Sequence, residues 1–173
     1  MDVMLGLAKR VTDVTDSPVV GGIADALHGW DRYARDIDIY TADFQATHQK
    51  LPAAGIPCDA ARREHLIQGV AIHMVADDSR GGPPKHIRLI QGVRVIALAD
   101  LIRGKLAVGL ENINWAKDLA DVVELIRAIT LAKDFAPNLP KHLRAPFTEL
   151  VDQVLDPRRT PIPPREFWKR YAS

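Results

Sequence analysis

Gly21-Gly22-Ile23-Ala24-Asp25-Ala26-Leu27-His28-Gly29-Trp30-Asp31-Arg32-Tyr33-Ala34-Arg35-Asp36-Ile37-Asp38-Ile39 is the most informative segment of the chain. The apolar pair Val19-Val20 runs into two glycines, and a short helix-like segment follows. An Arg-containing loop then leads to Asp-Ile-Asp-Ile, which alternates acid and apolar as a strand does. Residues two apart on a strand point to the same face, roughly 6.5–7 Å from each other. Asp36 and Asp38 are therefore expected to face one way, with Ile37 and Ile39 buried on the other. Two carboxylates on one rigid edge, opposite a Gly-rich turn, can hold Mg²⁺ and a phosphate chain together. Each half alone has an ordinary explanation, since acids line the solvent face of many half-buried strands. A Gly pair is often only a tight turn, because glycine tolerates positive φ. Their order and spacing together favour a site.

Outward from this stretch, the pattern predicts a helix over 2–12, a strand over 18–21, a short helix over 23–29 and the acidic strand over 36–40. Asp43 is placed to cap a helix over 44–54, which Gly55 and Pro57 end. Two hairpins each turn on a Gln-Gly pair. Gln68-Gly69 separates His65-Leu66-Ile67 from Val70–Val75, and Gln91-Gly92 separates Ile87–Ile90 from Val93–Ile96. The Gly/Pro-rich run 77–84 between them reads as a loop.

The second half reads as helical. A short helix over 98–107 carries Asp100, Arg103 and Lys105. Over 114–132, Trp115, Leu119, Val122, Ile126 and Ile129 make one apolar stripe, with Lys117, Asp118, Asp121 and Glu124 away from it. Another helix is expected over 141–155. The proline-rich segment 157–164 is extended. Phe167, Trp168 and Tyr171 then offer an aromatic anchor, for the parent domain or a second subunit in a homo-oligomer rather than for nucleic acid. The expected class is α+β (α/β), a mixed β-sheet with packed helices and a helical C-terminal portion. Residues 1–135 form the main domain, and 136–173 supply a C-terminal helix and proline-rich tail packed on it.

Hydrophobic residues at 47% and charged residues at 26% are ordinary values for a globular domain. The formal net charge of +1 gives no global field for steering nucleic acid, although local Arg clusters remain able to bind a polyanion. Cys58 is the only cysteine, which excludes an intramolecular disulfide and argues against a Cys-based metal site. The first ten residues lack the features of a signal peptide, and no run reaches the roughly 18 apolar residues of a membrane span. The expectation is a cytoplasmic protein without a membrane partner.

The Gly-Gly…Asp-x-Asp stretch resembles the signature of the DNA polymerase β-like nucleotidyltransferase superfamily: Gly-Gly or Gly-Ser, a spacer, then Asp-x-Asp or Asp-x-Glu. Thirteen residues separate Gly22 from Asp36, at the long end of that pattern. The chain looks most like small bacterial abortive-infection toxin-type nucleotidyltransferases and their uncharacterised relatives, over roughly residues 17–131. The resemblance implies a nucleotidyltransferase fold and a divalent metal, Mg²⁺ or Mn²⁺, held by Asp36 and Asp38. It implies that Gly21 and Gly22 admit the β,γ-phosphates of a nucleoside triphosphate. Arg32 or Arg35 would neutralise phosphate charge, or else form a structural ion pair.

The family's third carboxylate falls within Val70–Val75, where this chain has His73. A neutral imidazole can ligate a metal or act as a base, but it suits Mn²⁺ better than Mg²⁺. A structural histidine is the alternative, and Asp77 is a weaker substitute ligand. Lys105, with Asp118 and Asp121, resembles a second pattern in the toxin-like relatives, a helix Lys and an Asp-x-x-Asp segment beside the nucleotide. Trp115 stands where those relatives often carry Arg. The alternative for Asp121 is a solvated helix face and an i,i+4 pair with Lys117.

The function implied is metal-dependent transfer of a nucleotidyl group to RNA, a protein or a small molecule. A catalytically reduced nucleotide-binding or toxin–antitoxin-related protein is the alternative that His73 keeps open. A purely structural domain fits the intact Asp36-x-Asp38 poorly.

Overall fold

The computed structural model describes residues 2–76, 82–111 and 116–172. Asp77, most of the 77–84 loop and Trp115 lie outside them. The chain divides into two compact units, Met1–Ala97 and Leu98–Ser173. That division falls earlier than the 135/136 boundary drawn from the sequence. The helices that follow Ala97 cluster with the C-terminal ones because their apolar faces are buried together.

The first unit contains α1 (Asp2–Thr15), α2 (Gly21–Leu27), β1 (Ile37–Tyr40), α3 (Phe44–Ala53), β2 (Cys58–Asp59), β3 (Glu64–Ile67), β4 (Val70–Val75), β5 (Ile87–Ile90) and β6 (Val93–Ile96). Four strands form a mixed sheet in the order β1-β4-β3-β2, with β1 parallel to β4 and the other pairs antiparallel. β5 and β6 form a separate antiparallel pair. Both expected hairpins are present. Gln68 and Gly69, and likewise Gln91 and Gly92, have positive φ, which matches the right-handed twist of the flanking strands. The Asp43 carboxylate accepts from the Ala46 amide at 2.8 Å and caps α3 as expected.

The strand expected over 18–21 is reduced to one bridging residue. Val19 pairs with Ile39 of β1 on one side and Val95 of β6 on the other. The Val19 amide donates to the Arg94 carbonyl and the Val20 amide to the Asp38 carbonyl, at 2.8 and 2.9 Å. The chain then turns into α2 at Gly21, which ends the pairing. Val11, Val19, Ile37, Ile39, Leu51, Ile56, Val93 and Val95 are fully buried and form the core of this unit.

His28, the C-cap of α2, donates from Nε2 to the Ile96 carbonyl at 2.8 Å and ties the helix to β6. Burial pushes its pKa below the ordinary 6.5, and the bond to Ile96 offsets part of that. His65 shifts in the same direction, chiefly through burial. A lowered folded-state pKa means that the unfolded chain binds the proton more readily. The stabilising contribution is therefore present above the unfolded value and lost as pH falls through the lower folded one. Urea midpoints are expected to fall between about pH 7.5 and about pH 5.5, and to fall less in His28→Gln. Equal falls in the two proteins would remove His28 from this account.

The second unit contains α4 (Leu98–Glu111), α5 (Ala116–Ile129), a 3₁₀ turn (Lys133–Asn138), α6 (Lys141–Leu155) and α7 (Pro164–Tyr171). Its core includes Ile102, Leu106, Val122, Leu125, Ile126 and Phe147, each fully buried. A Cβ on Gly109 would lie 2.7 Å from Leu119 Cγ, so the small residue allows α4 and α5 to approach closely.

Asp118 and Asp121 correct the expectation of a solvated face, because both are buried. The buried Lys105 ammonium reaches Asp121 at 2.5 Å and Asp118 at 3.7 Å, joining α4 to α5. Two residues tie the proline-rich segment to α6: Arg159 pairs with Asp152 at 2.9 Å, and the Ile162 amide donates to Gln153 at 3.0 Å. Trp168 Nε1 donates to the Gly109 carbonyl at 2.9 Å, so the aromatic anchor docks within this unit. Among the described residues, no helix is long and apolar enough to cross a membrane.

Candidate metal and nucleotide site

β1 carries Asp38, and Asp36 stands just before the strand in the same alternation. Ile37 and Ile39 are fully buried, while the Asp36 and Asp38 side chains are 41% and 18% exposed. The parallel register sets His73 of β4 beside Asp38 of β1. His73 Nδ1 lies 3.4 Å from an Asp36 oxygen and 3.4 Å from an Asp38 oxygen. One ligand atom from each of the three residues falls within 4.8 Å of the other two. The His73 side chain is 40% exposed, so it is not the buried core histidine of the alternative reading. Ile72 beside it is buried and Met74 only partly, so the far side of β4 is less sealed than strict alternation would make it.

These separations suit a small divalent ion. Ligands about 2.1 Å from an octahedral centre lie about 3.0 Å apart at right angles and about 4.2 Å apart across it. The two 3.4 Å separations fall inside that span, and they are long for hydrogen bonds. Two carboxylates and one imidazole form a donor set compatible with Mn²⁺ and, less well, with Mg²⁺.

Glu64 was not singled out in the sequence. The β3–β4 register, with His65 opposite Ile72, puts Glu64 beside His73. Its Oε1 lies 3.4 Å from His73 Nε2. A carboxylate behind a ligating imidazole orients the ring and raises its basicity. The signal was present in the alternation of Glu64-His65-Leu66-Ile67.

Gly21 has φ +60°, and a Cβ there would lie 2.1 Å from Asp38 Oδ2. The backbone of α2 therefore closes directly on one acid of the pair. Gly22 is less constrained, since its nearest neighbour would be Ala34 Cβ at 3.4 Å. Gly21→Ala is expected to cost roughly 1–2 kcal/mol from the left-handed backbone alone. It also displaces the Asp38 carboxylate, so metal-dependent ligand binding falls more than stability does. Denaturant titration and calorimetry on Gly21→Ala and Gly22→Ala check this, with Gly22→Ala the milder of the two. Equal effects would contradict the close approach.

Arg32 is engaged structurally. It pairs with the fully buried Asp25 at 3.0 Å and stacks over the Trp30 ring at 4.7 Å. Arg35, next to Asp36 in the chain, is exposed and makes no salt bridge among the described residues. Lys105 belongs to the helical unit, where Asp118 and Asp121 hold it. No model of a known protein family matches the chain, and no curated protein is significantly similar to it.

Proposed function

We propose that the first unit is a metal-dependent nucleotidyltransferase domain. The carrying observation is the convergence of Asp36, Asp38 and His73 on one small volume, against the Gly21 backbone. Asp36 and Asp38 hold the divalent ion, and His73 completes the set through Nδ1 with Glu64 orienting its ring. When bound, that ion supplies positive charge to the triphosphate and to the departing pyrophosphate. The exposed Arg35 guanidinium adds charge for the phosphates. An acceptor oxygen attacks the α-phosphorus, the bond to the β-phosphate oxygen breaks, and pyrophosphate leaves. The chain is read as a relative of the nucleotidyltransferase superfamily on its Gly-Gly…Asp-x-Asp residues, and the acceptor is an RNA, a protein or a small molecule. His73 in place of a third carboxylate favours one second reading, a nucleotide-binding protein of reduced activity.

Thermal-shift and calorimetric titrations of the full chain with nucleoside triphosphates and Mg²⁺ or Mn²⁺ test this. A ligand that binds only the native state raises the melting temperature. The expected result is binding that needs metal and triphosphate together, tighter with Mn²⁺ than with Mg²⁺. No shift with any of the four common triphosphates and either metal would overturn the proposal. Binding without release of pyrophosphate would select the second reading.

A further inference from the structure

A second cluster lies on the other side of the same sheet. Alternation along β3 sends Glu64 toward the carboxylate site and His65 to the opposite face. His65 is 2% exposed and stands directly across from Cys58 of β2 in the antiparallel register. His48 of α3 completes the group, its ring edge-on to His65 with centroids 4.7 Å apart. His65 Nε2 and His48 Nδ1 are 2.8 Å apart. One ligand atom each from His48, Cys58 and His65 falls within 4.8 Å of the other two. The lone cysteine argued against such a site in the sequence, because the two histidines that join it come from separate elements.

We propose that His48 Nδ1, Cys58 Sγ and His65 Nε2 form a Zn²⁺ site with a fourth position open to solvent. Two imidazoles and a thiolate are a borderline-soft set that suits zinc, and three protein ligands with one open position are a recurrent zinc arrangement. The ring orientation is prepared. His65 Nδ1 faces the Ile56 carbonyl at 3.4 Å, which favours the proton on Nδ1 and leaves the Nε2 lone pair facing His48. Zinc bonds of 2.0–2.1 Å at a tetrahedral angle would set the two nitrogens about 3.3 Å apart. The rings must therefore open by about half an ångström from their present separation, and the exposed His48 ring is free to make that movement. Binding releases the Cys58 thiol proton, and the proton that lies between the two rings moves by way of solvent to Nε2 of the exposed His48 ring, which leaves both imidazoles neutral. Exposure of His48 and Cys58 gives the ion an entry path. Bound zinc would pin α3 to the two-residue edge strand β2.

Cobalt titration of the metal-stripped full chain tests the site, since a thiolate bound to Co²⁺ gives a near-ultraviolet charge-transfer band. One equivalent is expected to produce the band, and Cys58→Ser to abolish it. His48→Ala is expected to weaken Zn²⁺ at least about tenfold in a chelator competition. Asp38→Asn should keep both the band and the affinity, which separates this site from the carboxylate one. Alkylation of Cys58 in the unmutated chain needs no variant to fold. Zn²⁺ should slow it at least tenfold if the thiolate is ligated. Absence of the band in the unmutated chain, a band unchanged in Cys58→Ser, or alkylation indifferent to Zn²⁺ would overturn the proposal.

Discussion

Asp38→Asn is expected to weaken metal-dependent triphosphate binding by about a hundredfold or more, while leaving the fold intact. Loss of an outer-shell partner already costs 10–100-fold at metal sites, and Asp38 is placed to be a direct ligand. Its carboxylate lies 3.4 Å from His73 and borders the Gly21 backbone. In the metal-free protein, Asp36 and Asp38 repel each other as like charges on one face. The neutral amide relieves that repulsion, so stability should be kept or slightly raised, as at many sites that trade stability for function. Calorimetry with Mn²⁺ and a triphosphate, beside a urea titration, separates the two effects. His73→Asp is the converse case, in which a hard oxygen replaces the imidazole and the preference should move from Mn²⁺ toward Mg²⁺. Unchanged binding in Asp38→Asn would remove the acid pair from the site.

Lys105→Met is expected to destabilise the helical unit by roughly 3–5 kcal/mol. The substitution keeps length and apolar volume but leaves Asp118 and Asp121 buried without the ammonium between α4 and α5. Adding Asp121→Leu should recover much of the loss, because replacing a buried ion pair by apolar groups of similar volume is often neutral or stabilising. The two single variants and the double variant form a cycle that isolates the pair's coupling energy. A purely ligand-directed Lys105 would give the opposite pattern, with lost nucleotide binding and unchanged stability.

Local chemistry was the legible part of this chain. The Asp36–Ile39 alternation, the Asp43 cap, the two Gln-Gly hairpins and the helix over Lys141–Leu155 each depend on residues close in sequence, and each is present. What was missed depends on contacts between distant segments. The Val19 bridge looks from sequence like a short strand, because its pairing is cut by the turn at Gly21. Asp118 and Asp121 look solvated on a helical wheel, whereas the Lys105 ammonium that reaches both sits on a different helix. Glu64 gains meaning from the β3–β4 register, as Cys58 does from α3 and β3. Arg32 had two readings in sequence, and the buried partner it has, Asp25, lies seven residues upstream.

The bridge at Val19 bears on how this site can change over evolutionary time. The Val20 amide holds the Asp38 carbonyl, and the next residue, Gly21, leaves room for the carboxylate of that same Asp38. One dipeptide therefore fixes both ends of the residue, and the spacing between them is covalent rather than a matter of packing. An insertion at Val20-Gly21 has no slack to absorb it and would break the alignment of acid and turn. In the stretch after Leu27, Asp25, Trp30 and Arg32 fold the first part back on itself. Length variation among descendants of this chain should accumulate after Arg32 and be absent between Val19 and Gly22, which makes the short segment the caliper of the site and the long one its tolerance.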